Sequence, residues 1–415
     1  MSSGHSSIQV AALRGGPPAC EFSWPDWPIY DEREEAGLLE VLRSRKWWFG
    51  DRVRQFESEF ATFQGADFAV TCTNGTTALE MGLRALGVVE GDQVIVPPYS
   101  FIATASAVVT IGAIPVFADI LGDTLCLDPD DFQRKITPQT KAVIPVHVGG
   151  RIADMNRINQ VARQHGLAVL EDAAHAWGSQ LDGRGAGTLG KCGTFSFQET
   201  KNITAGEGGI LVTNDSELAE LCRSYTHCGR KEDTNWYDHD LLGSNLRMTE
   251  FQAAVLLAQC SRLPEQVAKR EKNATILNQI VKDQPALQVQ PSTPEMNRRS
   301  YHMYIVRVDE EALGMPRDRF IEALNAEGVP AIAGWYQPLY NNGVFQRANV
   351  GPAHGIKSPL ANKGVDYSNV SCPVCEQVCR DAVWIPHQVL LAEESQIQQL
   401  GEAIEKVVAC ADQLR

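Results

Sequence analysis

Residues 192 to 209 read Cys-Gly-Thr-Phe-Ser-Phe-Gln-Glu-Thr-Lys-Asn-Ile-Thr-Ala-Gly-Glu-Gly-Gly. The first half alternates apolar and small residues like a buried strand, and the second half is glycine-rich and has to leave regular structure. Lys201 stands at the turn. A lysine held partly desolvated where a strand runs out into a loop has a lowered pKa, which frees its amine to attack a carbonyl and form a Schiff base. A lysine taken at random is far more often a solvated loop residue, so the reading rests on the neighbours.

Upstream, Val169-Leu170-Glu171-Asp172-Ala173-Ala174-His175-Ala176 is an apolar strand ending in a carboxylate. Ligands of open α/β sheets bind at the C-terminal ends of strands, so Asp172 points into that cleft. A carboxylate beside a pyridine nitrogen keeps it protonated, which makes pyridoxal 5'-phosphate an effective electron sink. Around this pair, strand-like and helix-like segments alternate from Phe68 to Asn214. Strands are expected at Phe68–Cys72, Gln93–Val96, Pro115–Ala118, Ala142–His147, Ala168–Asp172, Gly193–Phe197 and Gly209–Thr213, with a helix at Thr76–Leu86. That rhythm predicts a mostly parallel sheet with helices on both faces.

The motifs Thr-Asn-Gly-Thr-Thr-Ala-Leu (73 to 79), Glu-Asp-Ala-Ala-His-Ala (171 to 176), Phe-Ser-Phe-Gln-Glu-Thr-Lys (195 to 201), Gly-Glu-Gly-Gly (206 to 209) and Asn-Leu-Arg-Met-Thr-Glu-Phe-Gln-Ala-Ala (245 to 254) occur in this order. Together they resemble the sugar and cyclitol aminotransferases of the DegT/DnrJ/EryC1/StrS type, from about Trp24 to the C-terminus. The resemblance implies an α/β fold, the fold type I of pyridoxal-phosphate-dependent transferases. It has a large domain with a mostly parallel sheet and a smaller α+β C-terminal domain. The expected boundaries are a flexible N-terminal tail at 1–22, a cofactor-binding domain at 23–265 and a small domain at 266–415.

A chain of 415 residues suits two domains or one large α/β unit with an appendage, and its 44% hydrophobic and 21% charged residues are those of a globular protein. A net charge of -14 argues against a general nucleic-acid binder, because no basic excess is available for phosphates. No secretory signal pattern opens the chain, which reads as cytosolic. Residues 94 to 118 carry no charge, but Pro97, Pro98, Gly112 and Pro115 interrupt them, so they read as strand, loop, helix and strand rather than a membrane span. The eleven cysteines need no pairing in such a compartment. Cys372, Cys375 and Cys379, with His387 nearby, have a spacing that evokes metal ligands, yet on one helical segment they read more simply as packing residues, and no metal is expected.

The first residues, Met1 to about Glu21, are rich in Ser, Gly, Ala and Pro and lack periodicity, hence the expected tail. Aromatics follow in Trp24-Pro25-Asp26-Trp27-Pro28 and Trp47-Trp48-Phe49-Gly50. These segments line an active-site entrance, as in the resembling family, or staple the N-terminal arm to the body; both readings stay open. Phe56, Phe60 and Phe63 have the spacing of a core-facing helix. Thr249 to about Asp283 reads as a long helix interrupted at Pro264. Beyond it come a strand at His302–Val308, a helix near Arg317–Glu327, a loop-rich region with Pro338 and Pro352, and a last helix from about Glu393 to Cys410.

At the candidate site, Asn74-Gly75-Thr76-Thr77 offers a helix start with glycine for close approach and hydroxyls, a pattern that suits a phosphate or an ordinary N-cap. By resemblance, Gly75 and Thr76 bind the cofactor phosphate together with Ser196, Phe101 stacks on the pyridine ring, and His175 lies near the phenolic oxygen. Asn245 matches an asparagine that reaches the phosphate from the neighbouring subunit, which implies a homodimer with shared sites. His147, at the end of a predicted strand, either faces the cleft or caps the next loop.

The resemblance further implies that Lys201 forms the internal aldimine and then shuttles the proton, with ping-pong kinetics. Sugar dehydratases of this fold carry histidine in place of that lysine, so transamination is the favoured reaction. Residues 372 to 374 and 382 to 391 look like the branch of scyllo-inosose aminotransferases and 3-amino-5-hydroxybenzoate synthases. A keto-cyclitol or keto-sugar is then the acceptor, and glutamine or glutamate the donor. The segment Gly334-Trp335-Tyr336-Gln337-Pro338-Leu339 departs from the histidine-bearing loop the pattern leads one to expect. Two other functions compete: a dehydratase or lyase on the same fold, and a non-catalytic regulator, which would need a partner or DNA-binding module.

Overall fold

The computed structural model describes residues 10–231, 235, 237–335, 337–346, 360 and 364–415. Helices α1 (Glu32–Ser44) and α2 (Asp51–Gln64) lead into β1 (Phe68–Cys72), followed by α3 (Gly75–Ala85), β2 (Gln93–Val96), α4 (Ala103–Thr110), β3 (Ile114–Phe117), α5 (Pro129–Lys135), β4 (Thr140–Val143), α6 (Met155–His165) and β5 (Ala168–Asp172). A short hairpin, β6 (Gln180–Leu181) and β7 (Arg184–Gly185), precedes β8 (Cys192–Ser196), β9 (Gly209–Thr213) and α7 (Ser216–Thr226). The central sheet has seven strands in the order β1-β9-β8-β5-β4-β2-β3. Only β9 runs antiparallel to its neighbours. The expected mostly parallel sheet is therefore what forms, its strands continuous in apolar residues because both faces are covered. On one face Phe56 and Phe60 of α2 meet Phe197 and Phe195 edge to face, at centroid distances of 5.3 and 5.1 Å.

Helix α8 (Glu250–Val281) leaves this body. It continues without a break across Pro264, where the sequence predicts an interruption. A proline inside a helix loses one backbone hydrogen bond and crowds the preceding turn. Here, packing on both sides carries the helix through: Leu263 and Val267 are fully enclosed. The carboxylate of Glu250, at the start of α8, accepts hydrogen bonds from the backbone N–H groups of Gly50, Arg52 and Val53 at 2.8, 3.0 and 2.9 Å, satisfying the open N-terminus of α2.

Beyond α8, β10 (Leu287–Val289), β11 (Met303–Val308), β12 (Ile332–Ala333) and β13 (Ala382–Pro386) form an antiparallel sheet ordered β10-β11-β13-β12. Helices Arg317–Ala326 and Glu394–Ala409 cover it with a second core. Chain order and core membership part company here. Tyr340, Phe345 and Tyr367 pack edge to face around Phe117 of the first core, and Cys372, Cys375 and Cys379 are buried in that same core.

Residues 10–22 correct one expectation. Residues 1–9 and Pro352 lie outside the described residues, but from residue 10 onward the chain is docked rather than a flexible tail. Ala11 and Cys20 are buried. Glu327, fully buried at the end of the helix Arg317–Ala326, accepts hydrogen bonds from the N–H groups of Ala12 and Ala19 at 2.8 and 2.9 Å, and pairs with Lys406 at 2.8 Å. A buried carboxylate needs such donors, and this arm supplies them across more than three hundred residues of sequence. Trp24 continues the staple by donating from Nε1 to the Gly328 carbonyl at 2.7 Å. Among the described residues, no helix is long and apolar enough to cross a membrane.

Candidate active site

Successive residues of a strand point to opposite faces, and β5 ends on two carboxylates that use this. Glu171 turns away from the cleft. Its Oε2 accepts from Gly187 N–H at 2.8 Å and meets His147 Nε2 at 2.8 Å, while its Oε1 accepts from Leu189 and Gly190 at 2.7 and 2.5 Å. His147 Nδ1 accepts from Ala153 N–H at 3.3 Å, so the ring carries its proton on Nε2 and donates it to Glu171. His147 thus ties the loop after β4 to Glu171 of β5.

Asp172 turns the other way. Its Oδ2 accepts from Thr104 Oγ1 at 2.7 Å, and its Oδ1 from Ala174 N–H at 3.2 Å. Since the Thr104 proton goes to Asp172, the Ser100 hydroxyl donates to Thr104, 2.6 Å away. Burial pushes the Asp172 carboxyl up, and the two hydrogen bonds, Lys201 and His147 pull it back. Lys201 feels the reciprocal effect: lost hydration lowers its ammonium from 10.5 to about 8, with Asp172 opposing the fall. The residue as a whole remains partly exposed.

The N-terminus of α3 faces the same space. Asn74 caps the helix by accepting from Thr77 N–H at 2.9 Å, while the N–H groups of Gly75 and Thr76 have no carbonyl partner within the helix. Two glycines set this geometry. A Cβ on Gly75 would stand 2.8 Å from Ser196 Cβ, and one on Gly209 would stand 2.2 Å from the Asn74 carbonyl oxygen. The helix start is thereby pressed against the end of β8, with the Ser196 hydroxyl beside it.

Phe101, at the start of α4, is 59% exposed and therefore free to cover a ring from the open side. His175 is buried; its Nδ1 accepts weakly from Gly149 N–H at 3.4 Å, and its ring stacks on Trp335 with centroids 5.8 Å apart. Burial, with Lys201 second, holds His175 well below its ordinary 6.5. The donor set suits pyridoxal 5'-phosphate: a helix N-terminus with a hydroxyl for the phosphate, a desolvated amine for the aldehyde, and a buried, under-satisfied carboxylate for the pyridine nitrogen.

Residues 28–405 match the model of the DegT/DnrJ/EryC1/StrS aminotransferase family. The chain belongs to this family. It is 37% identical to the 3-amino-5-hydroxybenzoate synthase of Amycolatopsis mediterranei (strain S699), covering 94% of this chain and 98% of that one. It is also 37% identical to the L-glutamine:2-deoxy-scyllo-inosose aminotransferase of Streptoalloteichus tenebrarius, covering 97% and 99%. A crystal structure of 3-amino-5-hydroxybenzoic acid synthase superposes with a TM-score of 0.84 at 35% identity, over 96% of this chain and 99% of that one. The protein is accordingly an aminotransferase of the sugar and cyclitol kind, in a family and fold whose members depend on pyridoxal phosphate.

Within the DegT/DnrJ/EryC1/StrS framework, Lys201 acts electrostatically on both Asp172 and His175, and Gly75 leaves no room for a side chain beside Ser196. Asn245 sits apart from them: it is exposed, bridges to His227, and accepts from Arg247 Nε at 2.9 Å. Trp48 lies in this second region, beneath the Arg247 guanidinium at 4.6 Å, so the Trp47-Trp48 segment flanks Asn245. Trp27 instead donates from Nε1 to the Glu199 carbonyl at 2.9 Å, two residues before Lys201. Of the departing loop, Trp335 stacks on His175, while Tyr336 lies outside the described residues.

Sequence reasoning did not single out Thr104, His302 or Arg270, and it considered His387 only beside the cysteines. Thr104 carried a usable signal, four residues after Ser100 on a helix that starts at the cleft. Arg270, inside a long polar helix, carried none.

Proposed function

We propose that this chain moves an amino group from glutamine or glutamate to a keto-cyclitol or keto-sugar, in two half-reactions with ping-pong kinetics. The observation that carries this reading is the pairing of a half-buried lysine with a buried aspartate at the end of β5. A lysine whose ammonium is lowered to about 8 faces an aspartate held by Thr104. Pyridoxal 5'-phosphate, when bound, supplies a conjugated sink for the electrons released at the donor's α-carbon.

Everything else falls to the chain. Gly75, Thr76 and Ser196 bind the phosphate end through backbone N–H groups and a hydroxyl. Asp172 holds negative charge at the pyridine nitrogen, and Thr104 keeps that carboxylate from turning away. Phe101 covers the open face of the ring, and His175 lines its oxygen-bearing edge. Lys201 Nζ, neutral in a substantial fraction near pH 8, would take the proton from the donor's α-carbon and give it up two atoms away, on the cofactor's side of the transferred nitrogen. The same atoms run in reverse when the keto substrate arrives. Asn245 serves the site of a second copy: it lies exposed beside Trp47, Trp48 and Leu242, apolar surface that a homodimer would cover.

The cyclitol reading is supported by the aminotransferase relatives, and the similarity to 3-amino-5-hydroxybenzoate synthase supports a second one, a dehydrating reaction on the same site. Incubating the holoenzyme with glutamine and scyllo-inosose, with products followed by mass spectrometry, separates them. An amino-cyclitol that appears in step with glutamine loss supports transamination. Loss of water from a dehydratable amino-ring substrate, without transfer to the keto-cyclitol, supports the second reading.

A further inference from the structure

The residues on either side of Lys201 are gripped from three separate parts of the chain. Before it, Trp27 of the N-terminal arm donates from Nε1 to the Glu199 carbonyl at 2.9 Å. His387, just past β13, contacts the Thr200 carbonyl from Nε2 at 3.1 Å. After it, His302, at the head of β11, contacts Asn202 Oδ1 from Nδ1 at 3.0 Å, and Asn202 Nδ2 in turn donates to the Ser300 carbonyl at 3.0 Å.

The tautomers follow from these partners. Arg270 can only donate, and its Nη2 lies 3.1 Å from His387 Nδ1, so that nitrogen is the acceptor and the proton sits on Nε2, aimed at Thr200. An amide oxygen can only accept, so His302 carries its proton on Nδ1. Arg270 is wholly buried, and its Nη1 has no hydrogen-bond partner among the described residues. Its guanidinium also lies 5.7 Å from the Trp27 ring, and Trp27 meets the His387 ring edge-on at 4.5 Å. His387 and His302 stack at 5.6 Å, and His302 meets His175 at 4.2 Å.

We propose that Trp27, His387 and His302 form a clamp of aromatic N–H donors, keyed by Arg270, that positions the Lys201 loop and keeps its amine dry. These are positioning residues: each acts on Lys201 through Glu199, Thr200 or Asn202. Among the described residues, the groups facing His387 are Arg270 from α8, Trp27 from the arm, His302 just before β11, and the Thr200 carbonyl with Lys201 beyond it, with no carboxylate among them. Burial, with the Arg270 guanidinium second, keeps the ring neutral, so the tautomer that grips Thr200 is the one present. Because arm and second core both contribute, the catalytic loop senses whether the two are seated.

The inference rests on the proposed role of Lys201, and one assay separates the two. Full-length protein is labelled with trace acetic anhydride between pH 6 and 10, with and without pyridoxal phosphate, and acetylation of Lys201 is read by peptide mass spectrometry. With cofactor, protection of Lys201 tests the functional reading alone. Without it, the pH dependence reports the amine. His387→Leu removes both contacts, and we expect Lys201 labelling at pH 7 to fall by about ten-fold, the change that a rise of one pKa unit produces. His387→Gln keeps an acceptor for Arg270 and a donor for Thr200, and should stay within about two-fold of the native protein. Trp27→Phe keeps an aromatic ring but removes the N–H donor together with part of the packing on His387, and a fall of about three-fold is expected. If His387→Leu does not fold, Trp27→Phe decides. Labelling profiles in His387→Leu and Trp27→Phe that match the native one would overturn the clamp.

Discussion

Glu171 and Asp172 are neighbours on one strand, both buried, and they differ in almost everything that matters. Glu171 is saturated: three backbone N–H groups and one imidazole N–H occupy its two oxygens. Asp172 has one hydroxyl and one long backbone contact. A buried charge with all its lone pairs used has no capacity left for a ligand, whereas one that is partly satisfied in a dry pocket is costly unless a further donor arrives. The contrast separates a carboxylate that builds the fold from one left with capacity for a ligand.

The sharpest way to break the contrast is to remove the amine opposite Asp172. Lys201→Ala should lower steady-state transamination by at least about 10⁴-fold, because base and covalent anchor vanish together. Circular dichroism should show an unchanged fold. Next, Asp172→Asn should cut kcat/KM by about 10²- to 10³-fold, as expected when an electrostatic partner at the reacting centre is lost. Its thermal midpoint should hold or rise, since a buried charge is gone.

Glu171→Gln should do the reverse. Denaturant titration is expected to show a loss of about 2–3 kcal/mol, because several donors lose a charged acceptor, with a far smaller effect on kcat/KM. A comparable stability loss follows acid titration. His175, His302 and His387 are all held well below 6.5 by burial. Below pH 6.5 the unfolded chain takes up protons at these rings that the folded chain refuses. Stability present above 6.5 is therefore lost as pH falls from 6.5 to 5.5, by about 1 kcal/mol per ring. Urea midpoints across that window would check it. The smallest effect belongs to Thr104→Val, which removes one hydrogen bond from Asp172 and should lower kcat/KM by about ten-fold.

The sequence carried the strands and the turn at Lys201 because both leave local marks. The alternation in residues 192–196, the carboxylate ending residues 168–172 and the glycines around 206–209 are readable within a few positions. The grip of Glu327 on residues 12 and 19 joins segments more than three hundred positions apart, and the Ser, Gly and Pro of that arm look like disorder until the partner is known. The clamp around Lys201 is equally hidden. Trp27, Arg270, His302 and His387 come from four places in the chain, and nothing in their own neighbourhoods relates them. His387 next to Cys379 invited a metal reading, while its real partners are an arginine and a carbonyl. Pro264 misled for the opposite reason: a strong local signal was overridden by tertiary packing.

The central claim is that Lys201 is the cofactor-linked amine opposed by Asp172, and its most direct test is the absorption spectrum of the purified protein with pyridoxal phosphate. It is recorded before and after glutamine, with Lys201→Ala in parallel. The account predicts a yellow protein that bleaches with donor, and a mutant that shows no donor-driven bleaching. A native protein that stays colourless, or bleaching that survives the loss of Lys201, would contradict it.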